Sequence, residues 1–324
     1  MNIDVHSHYI PRELEHNASP TVEISSISDG LYGLKVDGSP AGPLPKGAFD
    51  IESRLEDMDR MDIDVQVLSA THHLFLYTGE PRTAAKVARM QNEAIARAVK
   101  GAPDRFVGNA TLPLQDPRAS VEELRHAISE LGLRGVEIGT NVGGRNLDWE
   151  GLRPFYEEVE KTKVPVLVHP NDIMAPERHK DYYGRIVVGT LAETNNAILS
   201  VIFGGVLDLY PGLKFIFCHG GGGIPYHLGR LQHAMDTRKE CKGRTRHDVR
   251  HYFDTMCFDT VLFDGEQLKH LMDVAPRDNV LLGTDYPFDM GDWDSAELVK
   301  STVASEPDRE KVLHSNCSRI YRLG

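Results

Sequence analysis

The chain has 324 residues, of which 40% are hydrophobic and 26% are charged, a composition typical of a globular protein with a large core. Its formal net charge of −12 argues against nucleic acid or an anionic membrane surface as a partner, because either would be repelled. The apolar stretch AILSVIFGGVLDLY contains an Asp and is shorter than the ~20 residues that span a bilayer, so it predicts a buried helix.

Short β-branched or apolar runs alternate with helical segments along the whole chain. Parallel strands joined by crossover helices have this pattern. Strands are predicted at IDVHSH, DVQVLSA, RFVGNATLP, GVEIGT, PVLVHP, KFIFCHGG, YFDTMCFD and NVLLGTDYP. Eight such units predict an α/β protein with a (β/α)8 TIM barrel, formed by a single domain over residues 1–324.

One region interrupts this alternation. Residues 12–50, between the first strand and the next helix, are rich in Pro, Gly and Ser, and TVEISSISDGLYGLKVDGSP predicts a small inserted β-hairpin. An insertion after strand 1 of a barrel lies at the active-site mouth. It is therefore either a lid or a surface excursion that the fold tolerates.

Metal-binding side chains stand at the ends of four predicted strands. In the first strand Asp4, His6 and His8 occupy every second position and so share one face. Strands 5, 6 and 8 end at His169, His219 and Asp285, respectively. Because the carboxyl ends of barrel strands meet at one mouth, these side chains predict a site for Zn²⁺ or another first-row divalent cation. The remaining histidines, including the pair His72–His73, are predicted to be exposed or held in the core.

Six stretches carry a resemblance to a known family: DVHSHYIP, RFVGNATLPLQDP, GVEIGTNV, LVHPND, HGGGGIPYHLGRLQHA and LLGTDYPF. In order and spacing they resemble the amidohydrolase superfamily, and within it the 2-amino-3-carboxymuconate-6-semialdehyde decarboxylase group. The resemblance implies a decarboxylase with one divalent metal per chain, Zn²⁺ before Mn²⁺, and no organic cofactor. It also implies the metal ligands His6, His8, His169 and Asp285. His219 would be the acid/base, and Asp285 is a second candidate for proton transfer.

Strand 4 bears on the number of metal ions. Dinuclear members of the superfamily usually place a bridging lysine there, and GVEIGTNV contains none, so one ion is expected. Glu137 in this strand is a possible bridge but is expected to be structural.

A small anionic carboxylic acid needs local positive charge to bind a chain of this net charge. By resemblance, Arg54 would bind the substrate carboxylate, and Arg238 would reach the site from the other subunit of a homodimer. Alternatively, Arg54 is a helix-surface partner of Asp57, and Arg238 is an ordinary solvated residue. Asn171 and Ile186 stand where the family places tryptophans, so Asn171 is a candidate substrate contact and the substrate is expected to differ.

Three functions remain open at this point. The first is a zinc-dependent, non-oxidative decarboxylase of an unsaturated or aromatic carboxylic acid, in a pathway of aromatic compound breakdown. The second is a hydrolase or hydratase of a lactone, amide or unsaturated diacid, using the same ligands. The third is a metal-stabilised binding protein. The chain lacks a basic and apolar leader and has four scattered cysteines, so we expect a reducing, cytoplasmic location.

Overall fold

A computed structural model describes residues 1–16 and 19–324. Its strands are β1 (Ile3–Tyr9), β2 (Val22–Ser28), β3 (Leu31–Val36), β4 (Ser39–Pro45), β5 (Val65–Ala70), β6 (Phe106–Ala110), β7 (Gly135–Gly139), β8 (Asn141–Val142), β9 (Arg145–Asn146), β10 (Val166–His169), β11 (Phe215–Phe217), β12 (Cys257–Asp259) and β13 (Val280–Leu281). Eight of them form one sheet in the order β1-β5-β6-β7-β10-β11-β12-β13, and each neighbouring pair is parallel.

The sheet closes between its first and last strands. The backbone N–H of Val5 donates to the carbonyl of Leu282 at 2.9 Å, and that of Asp285 donates to His6 at 2.8 Å. Ser7 forms a parallel bridge with Tyr286. These contacts complete the barrel, so the predicted (β/α)8 fold is confirmed.

Helices surround the barrel: α1 (Ile51–Arg60), α2 (Pro81–Gly101), α3 (Pro117–Ser129), α4 (Arg153–Thr162), α5 (Thr190–Phe203), α6 (Val206–Leu209), α7 (Ile224–Thr237), α8 (Lys239–Lys242), α9 (Val249–Phe253), α10 (Gly265–Val274), α11 (Ser295–Thr302), α12 (Glu306–Glu310) and α13 (Asn316–Tyr321). Side-chain capping explains where α3 begins. Asp116 caps α3 by accepting from the N–H groups of Arg118 and Ala119, and Pro117 occupies the first turn.

Alternation along the strands separates two apolar layers. Val166 and Val168 of β10 pack in the layer between barrel and helices, whereas Leu167 packs in a smaller cluster with Ile3 and Ile216. That smaller cluster fills the barrel interior and includes residues of α13. Apolar side chains thus fill the amino-terminal end of the barrel interior. The active sites of such barrels lie at the opposite, carboxyl-terminal end.

The insertion after β1 differs in detail from the prediction. Strands β2, β3 and β4 form a three-stranded antiparallel sheet instead of a two-stranded hairpin. The added strand lets Leu34 and Leu44 form a small buried cluster with Ile10 and Leu74. A hairpin alone would have little apolar surface to bury.

Two other predictions need correction. The seventh strand was predicted over YFDTMCFD, but Tyr252 and Phe253 belong to α9, which Asp248 caps through the N–H of His251. The predicted apolar helix of AILSVIFGGVLDLY is buried but divided into α5 and α6, because Gly205 takes a left-handed φ of 74°.

The helical segment Arg185–Phe203, which ends with α5, is 19 residues long and apolar enough to cross a membrane by length and composition. Its residues Ala197, Ile198, Val201 and Ile202 are buried in the layer against the barrel. A core helix of a soluble protein has this packing, so the segment is weak evidence for a membrane span.

Candidate active site

Four buried side chains converge at the carboxyl-terminal end of the barrel. His6 and His8 come from β1, His169 ends β10, and Asp285 follows β13. Oδ1 of Asp285 lies 3.2 Å from Nε2 of His6, 3.1 Å from Nε2 of His8 and 3.9 Å from Nε2 of His169. The four ligand atoms all lie within 4.8 Å of one another, which is the spacing of donors around a single cation.

Hydrogen bonds orient the three imidazoles. Nδ1 of His8 lies 3.0 Å from the carbonyl of Ala70, and Nδ1 of His169 lies 3.0 Å from the carbonyl of Pro170. Burial lowers the pKa of both residues, so both rings are neutral, with the hydrogen on Nδ1 and the lone pair of Nε2 facing Asp285. Nε2 of His169 is buried without a hydrogen-bond partner, and a cation would satisfy it.

His6 is held differently. Its Nδ1 lies 2.7 Å from Oδ2 of Asp259, a fully buried carboxylate. Burial lowers the pKa of His6, but Cys218, the negative charge of Asp285 and the hydrogen bond to Asp259 together raise it well above the ordinary value. A cation bound here would therefore displace a proton from Nε2 of His6.

Asp259 is a buried carboxylate beside the ligand set that the sequence reasoning missed. One of its oxygens accepts from His6, and the other accepts from the backbone N–H groups of Gly220 at 2.9 Å and Val261 at 3.2 Å. Its only sequence signal is its place at the end of β12, where a barrel directs side chains to the mouth.

A second group of metal-capable atoms comprises His6, Cys218 and Asp259. Burial raises the pKa of the Cys218 thiol to about 12, and Nδ1 of His6 is already hydrogen-bonded to Asp259. The donor set of His6, His8, His169 and Asp285 is therefore the one that fits a divalent cation.

His219 stands beside this set and faces the cavity. Its Nε2 lies 3.2 Å from Oδ2 of Asp285, the oxygen that is turned away from His6 and His8, and its side chain is 14% exposed. The φ angles of His219 and Asp285 are 55° and 56°, a left-handed region uncommon for residues with a Cβ and often found at functional sites. Gly220 continues this turn after β11 with a φ of 59°, and a Cβ there would lie 2.5 Å from the side chain of Leu262.

Asp4, the third polar residue on the predicted face of β1, lies outside the cluster. The pairing of β1 with β5 shifts register between Asp4 and Ser7, which breaks the strict alternation. Its carboxylate accepts from Nε2 of Gln66 at 2.8 Å and from Oγ1 of Thr284 at 2.6 Å. Asp4 thus ties β1 to β5 and to the segment after β13.

A cavity of about 490 Å³ opens above the cluster. The insertion contributes Pro40, Ala41 and Gly42 to its wall. The segment between β10 and α5 and the first residue of α5 contribute Pro176, His179, Lys180, Tyr183, Arg185, Ile186 and Thr190. This volume suits a small organic substrate.

The cavity wall also corrects the prediction for the remaining histidines. His72 and His73, which follow β5, line the cavity, and the ring of His72 stacks on His169 with centroids 4.8 Å apart. Burial, followed by the charges of His8 and Arg185, lowers the pKa of His73 to about 4. Both side chains are thus uncharged polar groups facing the substrate space.

Arg54 does not take the predicted position. Its side chain is fully buried, with Nε donating to the carbonyl of Gly47 at 3.0 Å, Nη1 to Oε1 of Gln66 at 2.7 Å, and Nη2 to the carbonyl of His8. It is absent from the described cavity wall, and Asp57 pairs with Arg60 instead. The predicted surface pairing of Arg54 with Asp57 is wrong, because the guanidinium is used inside the protein. Its predicted contact with the substrate carboxylate stays a prediction that these hydrogen bonds do not support.

The other three residues considered as substrate contacts take different positions in the structure. Ile186 lines the cavity. Asn171 is buried and bonds to Thr140 and Asn141, outside the described wall, so direct substrate contact is not supported. Arg238 has a side chain that is 67% exposed and pairs with Glu240, so its contribution to a neighbouring subunit stays a prediction.

Glu137 of β7 lies 3.7 Å from Nδ1 of His8, and both of its carboxyl oxygens are buried without hydrogen-bond partners. Burial raises its pKa well above the ordinary value, which favours the protonated acid. It is not among the four converging ligand atoms, which agrees with the expectation of a single ion.

Comparisons with known proteins agree with this geometry. A family model described as amidohydrolase matches residues 3–323. A 2-amino-3-carboxymuconate-6-semialdehyde decarboxylase from Dictyostelium discoideum is 35% identical over 330 residues, covering 100% of this chain and 92% of the relative. A gamma-resorcylate decarboxylase from Rhodococcus jostii (strain RHA1) is 31% identical over 328 residues, covering 95% and 97%.

Solved structures show the same fold. The 2,6-dihydroxybenzoate decarboxylase from Rhizobium superposes with a TM-score of 0.82 at 26% identity, covering 99% of this chain and 98% of that one. The 5-carboxyvanillate decarboxylase from Novosphingobium aromaticivorans, complexed with manganese, superposes with a TM-score of 0.85 at 22% identity, covering 100% and 96%. From the family match and the full-length relatives named as decarboxylases, the chain belongs to the amidohydrolase family and to the decarboxylases within it.

Proposed function

We propose that the protein removes CO₂ from a small unsaturated or aromatic carboxylic acid, using one divalent cation held by His6, His8, His169 and Asp285. The observation that carries this proposal is the convergence of four buried ligand atoms within 4.8 Å of one another, at a substrate-sized cavity. The relatives named as decarboxylases support the reaction class.

The cation, when bound, supplies a Lewis acid that holds substrate oxygen atoms and stabilises negative charge. Asp259 and the carbonyls of Ala70 and Pro170 keep the three imidazoles in the orientation that binds it.

Loss of CO₂ breaks the bond between the carboxyl carbon and its neighbour, and the electron pair stays on the neighbouring carbon. That carbon must then receive a proton. His219 is placed for this transfer because it faces the cavity while Nε2 contacts Asp285 at 3.2 Å. In this proposal His219 holds the proton and Asp285 orients the ring.

We propose Zn²⁺ as the resident ion, because three imidazoles and one carboxylate suit it. Mn²⁺ is the principal competitor, since the same donors accept several first-row ions. Elemental analysis of protein purified without added metal distinguishes the two, and two ions per chain would contradict a mononuclear site.

The test of the function follows CO₂ directly. Protein stripped with a chelator and reloaded with Zn²⁺ or Mn²⁺ is incubated with 2,6-dihydroxybenzoate, 5-carboxyvanillate and muconate-type acids. We expect metal-dependent CO₂ release from at least one acid. Hydration or ring opening without CO₂ would identify a hydratase or hydrolase instead, and metal-loaded protein without any turnover would favour a binding protein.

Two variants complete the test. His169→Ala should lose both metal and activity, whereas His233→Ala, on the exposed side of α7, should keep both. Normal metal content in His169→Ala would remove His169 from the ligand set.

We further infer a homodimer in a reducing compartment such as the cytoplasm. All four cysteines are free, and Cys218, Cys257 and Cys317 are buried, which supports a protein that does not depend on disulfides. Light scattering would test the dimer.

A further inference from the structure

We propose that Arg185 binds an anionic group on the substrate distant from the reacting carboxylate, and that it thereby determines which carboxylic acids the cavity accepts. The proposal rests on the proposed function, because it assumes that the reacting carboxylate lies at the four-ligand site. It assigns to Arg185 an anion-binding role for which the buried guanidinium of Arg54 offers no support.

The first argument for anion binding is the position of Arg185 in the cavity wall. It is the first residue of the helical segment that ends with α5, and it lines the same cavity as His169, His219 and Asp285. Its side chain is exposed, whereas Arg54 is fully buried and hydrogen-bonded to protein atoms. Arg185 is the only arginine among the described residues that line the cavity.

The second argument for anion binding is the set of charged side chains around the cavity. Of the two carboxylates in the described wall, Asp285 is surrounded by imidazoles, and Asp289 accepts hydrogen bonds of 2.9 and 3.0 Å from the hydroxyl of Tyr183. Arg185 makes no ion pair within residues 1–16 and 19–324. Lys180 adds a second positive charge to the same wall. The two cations thus balance the two carboxylates of the described wall, so in a chain of net charge −12 this cavity is locally close to neutral and does not repel an anion.

The neighbourhood of His73 supports this placement of the charge of Arg185. His73 also lines the cavity, and Arg185 is one of the groups that lower its pKa, after burial and His8. A neutral His73 cannot compete with Arg185 for an anion, but its ring can donate or accept a hydrogen bond beside it. The guanidinium can donate two parallel hydrogen bonds to a carboxylate, which an ammonium group cannot do.

The experiment measures binding separately from turnover. Metal-loaded protein is titrated calorimetrically at pH 7.5 with benzoate and with phthalate, isophthalate and terephthalate, which place a second carboxylate at three separations. The proteins compared are wild type, Arg185→Gln, Arg185→Lys and the control Arg178→Gln. Arg178 lies seven residues earlier, between β10 and α5, and is exposed, but it is absent from the described cavity wall.

We expect wild type to bind at least one dicarboxylate more tightly than benzoate by about tenfold to a hundredfold, the range for a charged hydrogen bond. Arg185→Gln should reduce this ratio to near one, Arg185→Lys should retain part of it, and Arg178→Gln should leave it unchanged. Benzoate affinity should be similar in all four proteins.

Two results would overturn the assignment: an unchanged ratio in Arg185→Gln, or a wild-type protein that shows no preference for any dicarboxylate. Because the titration needs no CO₂ release, a protein that prefers dicarboxylates through Arg185 but does not decarboxylate would contradict the proposed function alone. Thermal unfolding of each variant checks that the substitutions leave the fold intact.

Discussion

At the scale of single residues, His219 and Asp285 share one contact but have different roles in our proposal. Asp285 approaches the imidazoles of His6 and His8 with Oδ1, and His219 lies 3.2 Å from the other oxygen, Oδ2. His219 is outside the set of four converging ligand atoms. Its removal should therefore affect proton transfer more than metal binding.

We expect His219→Ala to lower kcat by about 10²-fold or more, the usual contribution of a positioned acid or base. Metal content should stay near the wild-type value, because the four ligand side chains are unchanged. Elemental analysis and steady-state kinetics of the same preparation check this, with His233→Ala as the matched control. Loss of the metal from His219→Ala would make His219 a ligand.

Asp259 should act through His6. Each of its oxygens accepts at least one hydrogen bond, from Nδ1 of His6 on one side and from the N–H groups of Gly220 and Val261 on the other. In Asp259→Asn one oxygen becomes an NH₂ group and faces one of these donors, so the orientation of His6 is lost.

We expect this substitution to weaken metal affinity by about 10- to 100-fold, as is typical when the partner of a ligating histidine is removed. Competition with a chromophoric chelator measures the affinity. Added metal at saturating concentration should restore most of the activity of Asp259→Asn. An unchanged metal affinity would show that Asp259 does not position His6.

At the scale of secondary-structure elements, Arg54 of α1 joins three parts of the fold. Its hydrogen bonds reach Gly47 at the end of the insertion, Gln66 of β5 and the backbone of His8 in β1. Its guanidinium also lies 4.7 Å from the centroid of the Tyr286 ring. This is the arrangement of a residue that holds elements together.

Replacing Arg54 with Ala should lower the free energy of unfolding by about 3 kcal/mol or more, because three buried acceptors lose their donor. Arg118→Ala, at an exposed position of α3, should change it by less than about 0.5 kcal/mol. Urea unfolding followed by circular dichroism measures both. If the Arg54→Ala variant were as stable as wild type but had a raised KM, Arg54 would be a substrate-binding residue.

The insertion is the element whose function remains a proposal. Pro40, Ala41 and Gly42 lie in the cavity wall, so this sheet reaches the site that it was predicted to cover. A lid agrees with that placement, and we retain it as the interpretation of residues 12–50, although positions 17 and 18 lie outside the described residues.

At the scale of the whole molecule, net charge and assembly are connected. A carboxylate substrate must approach a chain of net charge −12, so additional cations at the site would help it to bind. Arg238 follows α7 with an exposed side chain, and the cavity wall within its own chain does not include it. We keep the prediction that it reaches the site of a second subunit.

Two inactive variants test this prediction. Arg238→Ala and His219→Ala are mixed under conditions that allow subunits to exchange. If Arg238 acts across a dimer interface, each mixed dimer has one site with both residues intact, and activity should return to ~25% of wild type. No recovery after verified exchange, or full activity in a dilute monomer, would contradict the prediction.

The sequence by itself determined the barrel and the metal-capable strand ends. Eight strand-like runs separated by helical segments have few solutions other than a closed parallel barrel, and such a barrel brings its strand ends together. His6, His8, His169, His219 and Asp285 could therefore be grouped across most of the chain length.

Only the tertiary structure decided which other polar residues serve the site. Arg54 and Asp259 are both charged residues in regular elements, and nothing local distinguishes a substrate-binding arginine from one that bonds to Gly47, Gln66 and His8. The partner of Asp259 is His6, at the opposite end of the chain. His72, in the turn after β5, and Arg185, at the start of an apolar helical segment, likewise reach the cavity only in the folded chain. Burial and hydrogen-bond partners depend on chain segments that meet only when the barrel closes, so the residues around the ligand set became visible only in the folded chain.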